Sequence, residues 1–369
     1  MFRRTLFAGA AAMALATLVA AAPASAQIKI GVAGPITGSL ASFGKQLTAG
    51  AEQAVADINA KGGVLGQQLV LEEGDDACDP KQAVSVANKF AGEGIKFVAG
   101  HFCSSSSIPA SKVYTEEGIL QITPASTNPA FTEGGAWNTF RTCGRDDQQG
   151  QFAGPYIAKE FKDRKIAILH DNSTYGKGIA DLTKKYMNAA GKQEVLYQAI
   201  VPGERDYTAL VSRLKLAGID LIYVGGYHPE IGLITKQARE QGLKATVIGP
   251  DSINTKELWQ ITGDAGEGIM FTFAPDPANR PTAAAVVKEF KDKGINPEGY
   301  TLYTYAAIQE WAAAATKAGS VDPKKVAETL KSKGPWDTVL GPLSYDKKGD
   351  LTKAEYVWYI WHNGDYGQM

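Results

Sequence analysis

Residues 101–109 read HFCSSSSIP: a histidine, a cysteine and four serines set directly after the apolar run 95–100. That run is expected to be a buried parallel strand, and a helix is expected over 108–117. Hydroxyls at a strand tip that leads into a helix, with the unpaired N–H groups of the helix start beside them, can receive an anion such as a carboxylate or phosphate. A second tip, ITPAST over 122–127, follows another short apolar strand. Open α/β sheets bind ligands beyond the carboxyl ends of their strands, so Ser104 and Thr127 are expected to face one pocket. The alternative for each hydroxyl taken alone is a simple helix cap.

Other chemistries find no support. The four histidines, His101, His170, His228 and His362, have no metal-ligand spacing to one another or to a cysteine. H-E-x-x-H, C-x-x-C, Walker A and G-x-S-x-G patterns are all missing, so neither a metal nor a cofactor is expected, nor a nucleophile elbow. His101 and Cys103 stand two apart in an extended stretch, where side chains point the same way without meeting as nucleophile and base.

The elements that must position these tips begin after an N-terminal segment. Met1-Phe2-Arg3-Arg4, an Ala/Leu-rich run to about Ala22 and Ala24-Ser25-Ala26 have the build of a secretory signal peptide over 1–26. No cysteine follows Ala26, so no lipid anchor is expected, and the location predicted is the periplasm. The whole chain carries 38 basic and 39 acidic residues. Loss of Arg3 and Arg4 leaves a slight negative charge, with no pull toward nucleic acid or an anionic membrane. Residues 27–369 exceed what one core usually holds, which predicts two domains.

Strand and helix signals then alternate. Strands are expected at 28–33, 68–72, 95–100 and 120–123, with helices at 44–60 and 79–92, the latter opened by Asp79-Pro80. The alternation resumes with helices at 148–161, 176–190, 207–217, 229–241 and 255–261 and strands at 165–170, 194–200, 220–224, 245–248 and 268–273. Helices follow at 282–293, 300–317 and 323–331, and 356–361 is expected as the final strand. Two α/β units with no flexible linker predict two lobes around a cleft, joined by short crossings that act as a hinge. Of the three cysteines, two are expected to pair in an oxidising compartment. Spacing does not say which, but Cys78 and Cys103 both lie just past strand tips, which favours that pair and leaves Cys143 free.

The segments GAEQAVADINAKGG (50–63), DDACDPKQAV (75–84), GHFCSSS (100–106), GGYHPE (225–230) and GPL (341–343) together resemble the periplasmic leucine/isoleucine/valine-binding proteins of ABC importers. The resemblance runs nearly gap-free along residues 27–369. It implies a type I periplasmic-binding fold: two doubly wound α/β lobes, 27–145 plus 275–354 and 146–274 plus 355–369, joined by three crossings that close on an amino acid. It also implies a monomer that delivers its ligand to a membrane permease with ATPase subunits.

Carried over residue by residue, the resemblance implies that Ser104, with the Thr127 N–H, holds the α-carboxylate. The Ala125 carbonyl, the Thr127 hydroxyl and Asp251 take the α-ammonium. Tyr227 closes over the charged end from the second lobe, and Phe43 and Tyr175 line the pocket for an apolar side chain. The family's disulfide falls on Cys78 and Cys103. A zwitterion buried between lobes loses its water, so each charged end needs matched hydrogen bonds. The chain departs from the family twice, with Asp251 where Glu is usual and Phe43 where Tyr or Trp is usual. Asp, one methylene shorter, would reach the ammonium directly after a small lobe shift or through a water. His228, beside Pro229 at a helix start, is read as structural.

The function expected is therefore capture of branched-chain or related apolar amino acids for uptake. The alternatives are a sensory receptor of the same fold or one for an amide or aromatic acid, with an exported hydrolase last.

Overall fold

Runs such as Phe97–Gly100 (FVAG) and Leu221–Gly225 (LIYVG) have no polar face to show to water, and every residue in them is buried. Strands of that kind must be covered on both faces, as in parallel sheets flanked by helices. The structure, a computed structural model that describes residues 27–369, is built from two such sheets. The signal-peptide segment lies outside the described residues.

The first sheet uses β1 (Ile28–Gly34), β2 (Leu69–Asp75), β3 (Phe97–Gly100), β4 (Leu120–Thr123) and β5 (Thr139–Arg141) in the order β2-β1-β3-β4-β5, all parallel. The second contains β6 (Ile166–His170), β7 (Leu196–Ala199), β8 (Leu221–Gly225), β9 (Thr246–Gly249) and β10 (Met270–Phe273). A small antiparallel pair, β11 (Trp336–Thr338) and β12 (Gly341–Leu343), comes next. The chain then returns as β13 (Val357–His362) and β14 (Asp365–Gln368), giving the second sheet the order β14-β13-β10-β9-β8-β6-β7. Because β13 and β14 belong to the second sheet, the chain passes between the sheets after β5, after β10 and before β13.

Register decides where the tips meet. Ala99 pairs with Ile122 across β3 and β4, so residues 101–104 and 124–127 emerge side by side. In the second sheet, His170 pairs with Gly225 and Tyr223 with Ile248, which brings 171–175, 226–227 and 250–251 to one end. Gly100 at the β3 tip has φ 147°, and a Cβ there would stand 2.4 Å from the Ala33 carbonyl oxygen. Only glycine fits that close approach.

The structure corrects the expected boundaries in two places that matter. The helix after β3 spans Ser104–Glu116, with Cys103 as N-cap and Pro109 inside it, rather than starting at 108. Serine's weak helix propensity is offset by tertiary contacts: the Ser126 hydroxyl donates to Ser107 Oγ at 2.6 Å, and Ser107 donates to the His101 carbonyl at 3.2 Å. The hydroxyl tip is thus the first helical turn itself. Residues 356–361 are also not the last strand. Asn363 and Gly364, both at positive φ, make the tight turn that Asn-Gly favours, and β14 follows. Strand β5, strand β11 and the short helix Ala130–Glu133 were not expected.

Disulfide Cys78–Cys103 is formed, with a Cα–Cα distance of 5.5 Å, and Cys143 is a buried free thiol. Among the described residues, no helix is long and apolar enough to cross a membrane.

One core helix carries a testable charge. Glu310, on the largely buried helix Thr301–Ala318, is itself completely buried and accepts the Tyr345 hydroxyl. Burial pushes its carboxyl up to about 8. The folded chain therefore keeps a proton that the unfolded chain releases near 4.5, so this residue makes stability fall as pH rises from about 4.5 through about 8. Glu310→Gln is expected to match wild type at pH 4.5 and to exceed it by on the order of 2–4 kcal/mol at pH 8.5 in denaturant melts. Equal differences at both pH values would refute that assignment.

Candidate binding site

The hydroxyls at the two lobe-1 tips divide into those that build the loops and those left over. Thr123 Oγ donates to the His101 carbonyl at 2.6 Å, and Ser126 Oγ reaches the Phe102 carbonyl at 2.9 Å. These bonds tie one tip to the other. Arg141, fully buried, adds a clamp: its Nη1 donates to the Ser126 carbonyl at 2.6 Å while Nε donates to Asp350 Oδ1 at 2.7 Å. Ser104 and Thr127 remain, both almost completely buried. Ser104 Oγ accepts from the Asn128 N–H at 3.2 Å and stands at the first position of its helix, where N–H groups point outward. The Thr127 hydroxyl is buried with no partner.

His101 and Cys103, weighed as a dyad in the sequence, do other work. Cys103 is in the disulfide. His101 Nδ1 lies 2.5 Å from Asp76 Oδ2, and its Nε2 lies 2.9 Å from the Tyr114 hydroxyl.

From the other side come Tyr175 at the second position of the helix Thr174–Ala189, Tyr227 at the N-cap of His228–Glu240, and Asp251 straight after β9 and Pro250. Asp251 is buried, and each of its oxygens is used: Tyr175 donates to Oδ1 at 2.6 Å and Tyr300 to Oδ2 at 2.5 Å. Burial raises the Asp251 carboxyl above its ordinary range, while the two phenols pull it back. Tyr300 itself is fixed to the first lobe by its N–H, which donates to Gln46 Oε1 at 2.9 Å. Its hydroxyl bond to Asp251 therefore spans the cleft, and the lobes are closed on one another.

These groups bound a narrow cavity of about 10 Å³, roughly the room one water needs. Phe102, Ser104, Ala125, Tyr175, Tyr227, Asp251, Ser252 and Tyr300 line it. Five of the seven residues singled out in the sequence therefore share its wall. Thr127, almost completely buried, is not part of that wall. Phe43 packs one layer further back, stacked at 4.4 Å on Phe102 and edge-on at 5.3 Å to His228. The ring that meets the cavity is Phe102.

Sequence reasoning missed Phe102, Ser252 and Tyr300. Phe102 was in view, between His101 and Cys103, but carried no polar atom to mark it. Tyr300 lies in the late helical region, and nothing local announces that it crosses to Asp251. Among the described residues, no cluster of histidine, cysteine or acids could hold a metal.

Comparison with known proteins defines the class. Residues 27–361 match the periplasmic binding protein family. The chain belongs to that family: it is a solute-binding protein of type I periplasmic-binding fold, not an enzyme. The Leu/Ile/Val-binding protein homolog 1 of Brucella suis is 53% identical over 367 residues, covering 99% of this chain and 98% of that protein. A leucine-, isoleucine-, valine-, threonine- and alanine-binding protein of Pseudomonas aeruginosa is 45% identical, covering 95% of this chain and 94% of its own length. Among solved structures, the branched-chain amino acid transporter substrate-binding protein LivJ of Streptococcus pneumoniae, in complex with isoleucine, aligns with a TM-score of 0.85 at 26% identity, covering 92% of this chain and 98% of that one.

Proposed function

We propose that this protein is the extracytoplasmic receptor of an ABC importer and captures an apolar aliphatic L-amino acid between its lobes. The observation that carries the reading is the polarity of one cavity. A helix start with Ser104 and the loop Ala125–Thr127 lie on one side, and an acid, Asp251, lies on the other, with aromatic rings between. That is the complement of a zwitterion with a small apolar side chain. Ser104 and the Thr127 N–H take the carboxylate; Ala125, Thr127 and Asp251 take the ammonium; Tyr227 and Tyr175 close over them. Phe43 shapes the apolar end by backing Phe102. The names of the relatives support an amino acid as ligand.

The lobes of this reading are 27–145 plus 275–354 and 146–274 plus 355–369, turning on the three crossings between the sheets. Residues 1–26 act as an export signal, the mature protein works as a periplasmic monomer, and the partners are a permease and its ATPase. An amino acid needs more room than the closed cavity holds, so capture proceeds through an open form.

The test is calorimetry on residues 27–369, unfolded and refolded to strip carried ligand, against the common amino acids, short amides and aromatic acids. Saturable binding of Leu, Ile, Val or Ala is the expected result. Binding of only an amide or aromatic acid would overturn the ligand, and no binding at all would overturn the reading. Phe102→Ala widens the apolar end, and it is expected to shift the affinity ratio of leucine over alanine upward by about 10-fold or more, since a methylene in an apolar pocket is worth roughly 1–3 kcal/mol. An unchanged ratio would remove Phe102 from the selectivity wall.

A further inference from the structure

Asp146 opens the helix Asp146–Glu160, is completely inaccessible, and has no hydrogen-bond partner for either carboxylate oxygen among the described residues. Native proteins rarely leave a buried charge without donors, because the group has lost water and gained nothing. Its neighbours indicate what it lacks. The Asp146 backbone N–H donates to the Thr127 carbonyl at 2.9 Å, which ties the start of its helix to the loop that carries Ala125 and Thr127, while the carboxylate lies beside Gly178, just outside the residues that line the cavity. Burial pushes the Asp146 carboxyl well above its ordinary range, and the nearby Thr127 hydroxyl pulls it only part of the way back; that hydroxyl too is left without a partner at hydrogen-bond distance. Asp251 is near enough to repel Asp146.

The cation within reach does not satisfy it. Arg141 gives Nε to Asp350, Nη1 to the Ser126 carbonyl and Nη2 to the Thr132 hydroxyl at 2.7 Å. The two acids thus differ in their commitments. Asp251 already accepts a phenol on each oxygen, whereas Asp146 accepts nothing.

We propose that Asp146 is a ligand-binding residue: its carboxylate, with the Thr127 hydroxyl, receives the ligand's ammonium, and Asp251 supplies the second charge from its seat between Tyr175 and Tyr300. The inference rests on the amino-acid reading above and deepens it. It explains how a chain with the shorter Asp251 can hold an ammonium, and it makes the protonated amine, rather than the carboxylate, the feature that ligands are selected by. A first-turn acid also suits a helix N-terminus on dipole grounds alone, so the test must separate binding from stability.

The experiment compares wild type and Asp146→Asn in calorimetric titrations with the best amino acid from the panel and with the carboxylic acid lacking its amino group, alongside thermal melts. The variant is expected to lose roughly 30-fold or more in affinity for the amino acid, with little change for the acid and an equal or higher melting temperature. Asp146→Ser, which also starts helices well, repeats the test should the first variant fail to fold. Amino-acid affinity within 3-fold of wild type in a folded variant overturns the inference and leaves the amino-acid reading standing. A wild-type protein that binds no amino acid overturns both.

Discussion

Asp251→Ala is expected to weaken binding of the cognate amino acid by about 100- to 1000-fold. Two losses add. The ammonium end of the proposed site gives up a buried negative charge, and removing one member of a buried, hydrogen-bonded pair costs roughly 3–5 kcal/mol. The Tyr175 and Tyr300 hydroxyls, held at 2.6 and 2.5 Å by this one carboxylate, are also left without their acceptor. Tyr300 belongs to the first lobe through Gln46, so the same change removes a contact that favours closure. Asp251→Asn separates the two effects, because the amide oxygen still accepts from one phenol while the charge is gone. Calorimetry at equal ionic strength reads both variants. Affinity of the alanine variant within 10-fold of wild type would show that the ammonium is held elsewhere, with Asp146 the first place to look.

The second large effect concerns the disulfide. Cys78 and Cys103 are 25 residues apart, and opening a loop of that length releases chain entropy worth about 3–4 kcal/mol in the unfolded state. Replacing both with serine is expected to lower the melting temperature by roughly 5–10 °C. Binding should weaken as well, because Cys103 is the N-cap of the helix whose first residue is Ser104, and the bridge holds that turn against the β2 tip. The double variant keeps Cys143 as its one cysteine, buried and with its thiol pushed up by that burial, so no other bridge can form within the chain. Melts and titrations of the oxidised protein and the double variant read both quantities. A change of less than 2 °C would mean that the bridge adds nothing to the fold.

How legible the site was in the sequence depended on whether a residue's role is local. Ser104 and Thr127 stand at strand-to-helix tips, and that position is written in the order of apolar, hydroxyl and helix-forming residues. Asp251 follows Val247-Ile248-Gly249-Pro250 in the same way. Serine runs and proline read as loop, so the sequence alone predicts a helix only from 108, whereas contacts from Ser126, distant in sequence, draw the turn from Ser104 into the helix. Phe43 and Phe102 illustrate the same limit. Both are buried aromatics close to the tips, and only the stacking of one on the other shows which faces the cavity.

Periodicity and turn chemistry along the chain were enough for the two α/β units and for the strand tips that carry the polar groups and Cys78 and Cys103. Each is set within some twenty residues. The tertiary structure alone decided which hydroxyls are used up in joining the loops, that Tyr300 crosses from the first lobe to Asp251, and that Asp146 is left buried with open oxygens. Those outcomes are set by which groups meet after the sheets are assembled, and a hydrogen bond between residues 49 positions apart, as Asp251 and Tyr300 are, leaves no mark on the spacing of either.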